Sequence, residues 1–161
     1  EGYNSGADIY VTKPFTPSVL KAQVEGLLNS RQKLKALFGE KITLKAEAEE
    51  PTSLDEKFLN KAIKIVEENL TNEKLNRDFL ASQLATSSST LYRKIKGLTG
   101  FDTTVFVRSI RLKKAAQMIL NKEDNISGIA YQVGFNDLKY FRKCFKEQFG
   151  VTPSKFTKDL L

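Results

Sequence analysis

The sequence predicts an all-α fold in which two helix-turn-helix subdomains are joined by a long central helix, preceded by a short strand and helix. Three observations predict it. After residue 53, apolar residues recur at helical spacing and no segment alternates as a strand does. Two segments share one organisation, a short helix containing a small residue, a tight turn, and a basic helix that ends at glycine. Between them lies a helix whose apolar residues point in nearly every direction, which is typical of burial on several sides.

The first part of the chain predicts one strand and one helix. Residues 9–11 form a short, apolar, β-prone run that ends at a turn. Thr16 is an N-cap followed by proline, and leucines then recur at helical spacing as far as Phe38. Such a helix could pack on a sheet or pair with another helix. Residues 40–52 are acidic and rich in alanine, so we expect a linker there.

A compact helical domain is expected to begin at residue 53, where Ser53 and Glu56 form a capping box ahead of an amphipathic helix. The first helix-turn-helix unit then has Asn76 as a cap and Ala81 as its small residue. Its second helix is predicted to end at Gly100.

Asp102, Thr103 and Thr104 are the candidate caps of the central helix, which is predicted to run to about Leu120. The second unit repeats the first, with Ala130 as the small residue inside its short helix. Its turn contains Gly134, either Asn136 or Asp137 caps its basic helix, and a glycine again closes it. The small residue in each unit permits two helices to approach closely near a right angle.

The composition excludes several classes of function. The chain has no histidine and one cysteine, Cys144, which excludes histidine-based catalysis, an internal disulfide and any cysteine cluster. Cys144 lies next to Phe145 and is expected to pack rather than react. We therefore expect that the chain is not an enzyme and that it has no cofactor, no metal site and no small-molecule substrate. No apolar run approaches the roughly 20 residues that span a bilayer, and we expect a cytoplasmic location.

The charge is concentrated in the helical domain. Residues 1–50 balance seven basic against seven acidic side chains, so residues 51–161 carry the whole net charge of +7. Residues 87–100 hold three basic and no acidic side chains, and residues 137–149 hold four basic and two acidic ones. A basic second helix in such a unit can enter a DNA major groove. The alternative is an ordinary helical domain with polar outer faces, which would bind DNA only non-specifically and act in helix-mediated dimerisation or protein interaction.

Residues 75–157 resemble the AraC-type transcription regulator domain. The matching segments span both units and the helix between them: Leu91–Lys96, Thr99-Gly100, Arg108–Ala116, Ile129-Ala130, Val133–Phe135, Tyr140–Lys146 and Phe149–Ser154. The resemblance implies seven helices, with two recognition helices in successive major grooves about one helical turn (~34 Å) apart.

By position in that family, nine residues of the two recognition helices would face DNA: Ser88, Ser89, Tyr92, Arg93, Lys96, Leu138, Lys139, Arg142 and Lys143. The first unit departs from the family pattern. Ala85 stands where glycine is frequent, Thr86 where an apolar residue is usual, and Ser88 at a position that is often basic. The first unit is therefore expected to bind less tightly or to read a different base.

The N-terminal piece resembles the end of a response-regulator receiver domain, on the segments Gly2-Tyr3, Ser5–Asp8 and Tyr10–Phe15 followed by a helix. The resemblance implies that Lys13 is the lysine that contacts the phosphoryl group, and that the bond to the following proline is cis. The phospho-acceptor aspartate and four preceding strands are absent from this sequence, so no phosphotransfer is expected.

Together these resemblances imply three regions: a receiver fragment at 1–39, a linker at 40–52 and a DNA-binding domain at 53–161. The longer parent protein would be a hybrid two-component regulator, and one possible arrangement has that parent anchored in the inner membrane. Its expected partners are double-stranded DNA, a second copy of the chain through residues 16–38, and RNA polymerase as a further candidate. The start at Glu1 rather than methionine indicates a piece of a longer protein.

Overall fold

The structure is a computed structural model that describes residues 13–14, 16–39 and 54–156. These residues form seven α-helices and a 3-10 turn at Pro153–Lys155: α1 Pro17–Gly39, α2 Leu54–Glu68, α3 Arg77–Gln83, α4 Ser88–Thr99, α5 Thr103–Asn121, α6 Ile126–Gln132 and α7 Leu138–Phe149. The predicted strand at 9–11, the linker at 40–52 and the capping residue Ser53 lie outside the described residues.

Side-chain caps fix the start of each helix in the two helix-turn-helix units. Asn76 accepts from the amide of the third residue of α3, and Asp102 does the same for α5, as the sequence predicted. Of the two candidates for the start of α7, Asp137 is the cap, and it accepts from two backbone amides. Ser87 caps α4 and Asn125 caps α6.

The core has two parts, and α5 contributes to both. Phe106, Val107 and Ile110 of α5 pack with α2, α3 and α4 in the first cluster. Farther along α5, Leu112 and Ala115 pack with α6 and α7 in the second cluster. This confirms the central helix predicted from its all-round apolar pattern. Each large side chain buried there stabilises the fold by about 1.5–3 kcal/mol.

The two helix-turn-helix units share one hydrogen-bond pattern. The amide of Thr86 donates to the Ala81 carbonyl at 3.0 Å, and the amide of Phe135 donates to the Ala130 carbonyl at 2.9 Å. Both alanines are buried, so the helices of each unit approach closely. The residue before each donor has a positive φ, 51° at Ala85 in the first turn and 85° at the glycine of the second. The first turn therefore adopts the glycine-favouring conformation without a glycine.

Helix α1 packs against α4, the second helix of the first unit. Arg31 of α1 donates from Nε to the carboxylate of Asp55 at 3.1 Å, and Asp55 is only 2 % exposed at the start of α2. Of the two arrangements predicted for this helix, the structure therefore has helix pairing. The Lys13-Pro14 bond is cis. Within the described ranges, no helix is long and apolar enough to cross a membrane.

Candidate nucleic-acid interface

Helix α4 is anchored by one apolar face and presents the opposite one to solvent. Leu91 and Ile95 are fully buried in the first core cluster. Four of the five predicted residues on this helix are exposed: Ser89, Tyr92, Arg93 and Lys96. Tyr92 is 43 % exposed, which is high for a large aromatic side chain and leaves its ring free for a partner.

Ser88, the fifth predicted residue of α4, is half-buried and already engaged. Its hydroxyl donates to the carboxylate of Asp78 on α3. Ser88 therefore links the two helices of the first unit, and Asp78 competes with any phosphate for this hydroxyl.

Helix α7 has the same division into a buried and an exposed face. Phe141 and Phe145 are fully buried, and their ring centroids lie 5.7 Å apart. Three of the four predicted residues are exposed: Lys139, Arg142 and Lys143. Lys143 lies 4.0 Å from a carboxylate one turn along, an exposed pair that contributes little.

Leu138, the remaining predicted residue of α7, is half-buried and packs against the second core cluster. Leu138 therefore lies at the edge of the core.

Lys13, the predicted phosphoryl-contacting lysine, is exposed. Among the described residues, no group of acidic or cysteine side chains could hold a metal ion.

A cleft between the two subdomains holds polar residues to which the sequence reasoning gave no role. Its volume is about 470 Å³, and α5 forms its floor. The lining comes from α3, α5 and α7 and from the turn of the second unit: Leu75, Asn76, Arg77, Thr103, Thr104, Val107, Arg108, Arg111, Gly134, Phe135, Asn136, Asp137 and Tyr140. We call this the inter-subdomain cleft.

Two arginines of α5 cross the inter-subdomain cleft to the second unit. Arg108 donates to the Tyr140 hydroxyl at 2.9 Å, and Arg111 donates to the Gly134 carbonyl at 3.3 Å. Burial by itself would lower the pKa of Arg108, but the hydrogen bond to Tyr140 and the electrostatic interactions with Tyr140, Cys144 and Glu147 outweigh it and raise that pKa. The pKa of Arg111 is lowered by burial. The sequence contained one feature that could have pointed to these two arginines: they lie three residues apart on one helix that is predicted to be buried.

Comparison with known proteins shows which of them this chain is similar to. Residues 80–159 match the family model described as "Helix-turn-helix domain". The protein named Histidine kinase P4 from Formosa agariphila is 42% identical over 156 residues, which cover 97% of this chain and 11% of that protein. The HTH-type transcriptional activator RhaS from Mannheimia succiniciproducens is 37% identical over 86 residues, or 53% of this chain and 32% of that protein. The chain thus spans about a tenth and a third of these two relatives.

Solved structures agree with the helical arrangement. The C-terminal domain of AraT, a response regulator from Geobacillus stearothermophilus, has a TM-score of 0.54 at 29% identity and covers 62% of this chain and 82% of that one. The C-terminal domain of the two-component response regulator yesN from Fusobacterium nucleatum also scores 0.54 at 29% identity, with coverages of 62% and 97%. An AraC-type regulator from Chromobacterium violaceum scores 0.57 at 25% identity, with coverages of 62% and 88%.

Proposed function

We propose that this chain, whose helical domain is an AraC-type helix-turn-helix domain, regulates transcription by reading double-stranded DNA with α4 and α7 in two successive major grooves. One observation carries the proposal. Two units with the same internal hydrogen bonds are fixed to one buried helix, α5, and each leaves the basic face of its second helix exposed. A rigid α5 keeps the two faces in one relative orientation, which binding to successive grooves requires.

The exposed side chains suit that role. The major groove is about 12 Å wide and admits one helix. Arg93 and Arg142 can donate two hydrogen bonds to a guanine edge, which makes them the candidates for base reading. Lys139 and Lys143 carry the charge that attracts phosphates, and Ser89 can donate to a phosphate oxygen.

The test uses the 161-residue chain and a duplex selected from random DNA. Fluorescence anisotropy measures the affinity for this duplex and for a scrambled one, across a salt series. Arg93→Ala and Arg142→Ala should each lower the discrimination between the two duplexes by about 1–3 kcal/mol. The matched control is Lys57→Ala, which removes one exposed positive charge from α2. Equal discrimination in all four proteins would overturn the assignment of these arginines.

The salt series tests the electrostatic part of the same proposal. Wild-type affinity should fall steeply as salt rises, because each neutralised phosphate releases counterions. Lys139→Ala should reduce the slope of log affinity against log salt by about 1 and weaken both duplexes alike. A salt-independent affinity would argue against binding through phosphate contacts.

The finer proposal is that residues 1–39 end a receiver domain and that the parent is a hybrid two-component regulator. The 42% identity to a protein named histidine kinase extends over 97% of this chain, including the N-terminal piece, and supports this. In the parent, Lys13 would contact the phosphoryl group, and RNA polymerase would be the downstream partner. Phosphorylating the full-length parent should change its affinity for the selected duplex, whereas the present chain should not respond to the phosphodonor.

A second candidate function is dimerisation through residues 16–38. Helix α1 leaves four large apolar side chains exposed between 39% and 54%: Val19, Leu20, Val24 and Leu28. An exposed apolar stripe of this kind favours association. Size-exclusion chromatography with light scattering should give a concentration-dependent dimer that Val24→Lys abolishes. A monomer at all concentrations would refute it.

A further inference from the structure

We propose that the inter-subdomain cleft binds a sugar–phosphate unit, with the phosphate on Arg108 and Arg111 and the sugar on the apolar wall. The cleft lies between the two subdomains and includes residues from the first turn of recognition helix α7. None of its charged lining residues is among those predicted to read bases.

The charge of the cleft is unbalanced. Its lining holds Arg77, Arg108 and Arg111 and one carboxylate, that of Asp137. One oxygen of that carboxylate, Oδ1, accepts from the amides of the second and third residues of α7. Just outside the lining, the carboxylate of Asp78 lies 3.9 Å from Arg77, and Glu147 interacts with Arg108. Within the described part of the chain, neither arginine of α5 forms a salt bridge. The lining of the cleft therefore carries a net positive charge.

The two α5 arginines are held in place but are not saturated. Each gives one hydrogen bond to the second unit, and a guanidinium has five N–H donors. The Nε of Arg111 and the hydroxyl of Thr103 are both buried with no hydrogen-bond partner among the described residues. A buried donor without a partner costs about 1–3 kcal/mol. Burial also lowers the pKa of Arg111, because desolvation disfavours the charged form of its guanidinium. An oxyanion bound there offsets both costs.

The size and the rest of the lining favour a sugar–phosphate over a bare ion. The volume of about 470 Å³ exceeds what inorganic phosphate fills and lies in the range typical of small-molecule sites. Leu75, Val107 and Phe135 give the cleft an apolar wall. The carbon face of a pentose can pack on that wall while its phosphate reaches the arginines, which bind phosphate through two parallel hydrogen bonds.

The sugar–phosphate has two sources. One is the DNA backbone between the two major grooves. This version rests on the proposed function, because α4 and α7 flank that stretch of backbone only when both helices lie in their grooves. The other is a free nucleotide, which would bind with no DNA present. The chemistry of recognition is the same in both, so one experiment tests the site and a second arm identifies the source.

The test titrates the whole chain with thymidine 5′-monophosphate at constant ionic strength and follows it by NMR. The Nε–H resonance of Arg111 and the amide of Thr103 should shift and saturate. Thymidine alone should leave them unchanged, because it lacks the phosphate. Arg108→Met should weaken binding about tenfold or more, as expected for loss of a charge-assisted hydrogen bond. Tyr140→Phe should weaken it several-fold by releasing Arg108, and the control Lys57→Gln should bind as wild type does.

Circular dichroism confirms that each variant is folded, and Tyr140→Phe keeps the test decisive should an arginine variant unfold. The proposal is overturned if the chemical shifts do not saturate and are spread over α4 and α7. It is also overturned if Arg108→Met and the wild type bind the nucleotide equally well. Two results would identify the DNA backbone as the source. One is displacement of the nucleotide by the selected duplex. The other is that a methylphosphonate placed between the half-sites lowers the duplex affinity of the wild type more than that of Arg108→Met. Simultaneous binding of nucleotide and duplex supports a free ligand. Failure to bind any duplex contradicts the proposed function but leaves the nucleotide titration unaffected.

Discussion

Replacing Gly134 by alanine should destabilise the domain more than the same change at any open glycine. Gly134 has φ 85°, so any L side chain there costs about 1–2 kcal/mol of backbone strain. A Cβ would also overlap the main-chain oxygen of Leu70 and lie 3.0 Å from Cζ of Arg111. Neither a main-chain carbonyl in the turn after α2 nor a half-buried arginine yields easily, and such overpacking costs about 1–3 kcal/mol more. The expected total is about 2–5 kcal/mol.

Gly150 provides the matched control for that substitution. Its φ is 80°, nearly the same, but a Cβ would meet nothing within 4 Å. Gly150→Ala should therefore lose only the backbone term of about 1–2 kcal/mol. Urea unfolding followed by circular dichroism, with linear extrapolation, gives both free energies of unfolding. Equal losses for the two variants would refute the steric argument, because only Gly134 has the close approach.

Three further predictions use the same unfolding measurement. Ala85→Gly should raise the free energy of unfolding by up to about 1.5 kcal/mol, because the relief of ~1–2 kcal/mol of strain at φ 51° outweighs the ~0.4–1 kcal/mol by which glycine favours the unfolded chain, and a loss would contradict this. Arg31→Ala should lower it by about 1–3 kcal/mol, since the carboxylate of Asp55 would stay buried without its partner, whereas Lys21→Ala in the exposed pair of α1 should change it by less than about 0.5 kcal/mol. Burial lowers the pKa of Lys113, so between that lowered pKa and the ordinary value of 10.5 the unfolded chain holds a proton that the folded protein has released. Stability relative to Lys113→Met should therefore rise with pH through that window, and a constant difference would refute it.

The helical elements could be predicted because their signals are local. A cap such as Asn76 or Asp102 acts within three residues, and a glycine such as Gly100 or Gly150 ends a helix through its own backbone freedom. The burial of α5 on several sides was also readable, since it is encoded by how many faces of one helix are apolar.

That the predicted interface residues contact DNA stays a prediction, and the structure shows only how exposed each of them is. Arg93 and Arg142 are exposed, as base-reading side chains need to be. Ser88 and Leu138 stand at family positions too, but Ser88 donates to Asp78 and Leu138 packs on the core. Which neighbour a side chain at the edge of a helix meets depends on the crossing of two helices, and no local pattern encodes that.

The amino-acid sequence was sufficient to predict the all-α class, the duplication of the helix-turn-helix unit and the concentration of positive charge in residues 51–161. Each is a matter of periodicity, spacing or count along one chain. The folded arrangement was needed to show that α1 packs on α4, and that Arg108 and Arg111 meet Tyr140 and the turn of the second unit. These contacts join residues 23 or more apart in sequence across separately formed helices. Which residues meet depends on how the helices pack on one another, so neither segment encodes its partner alone.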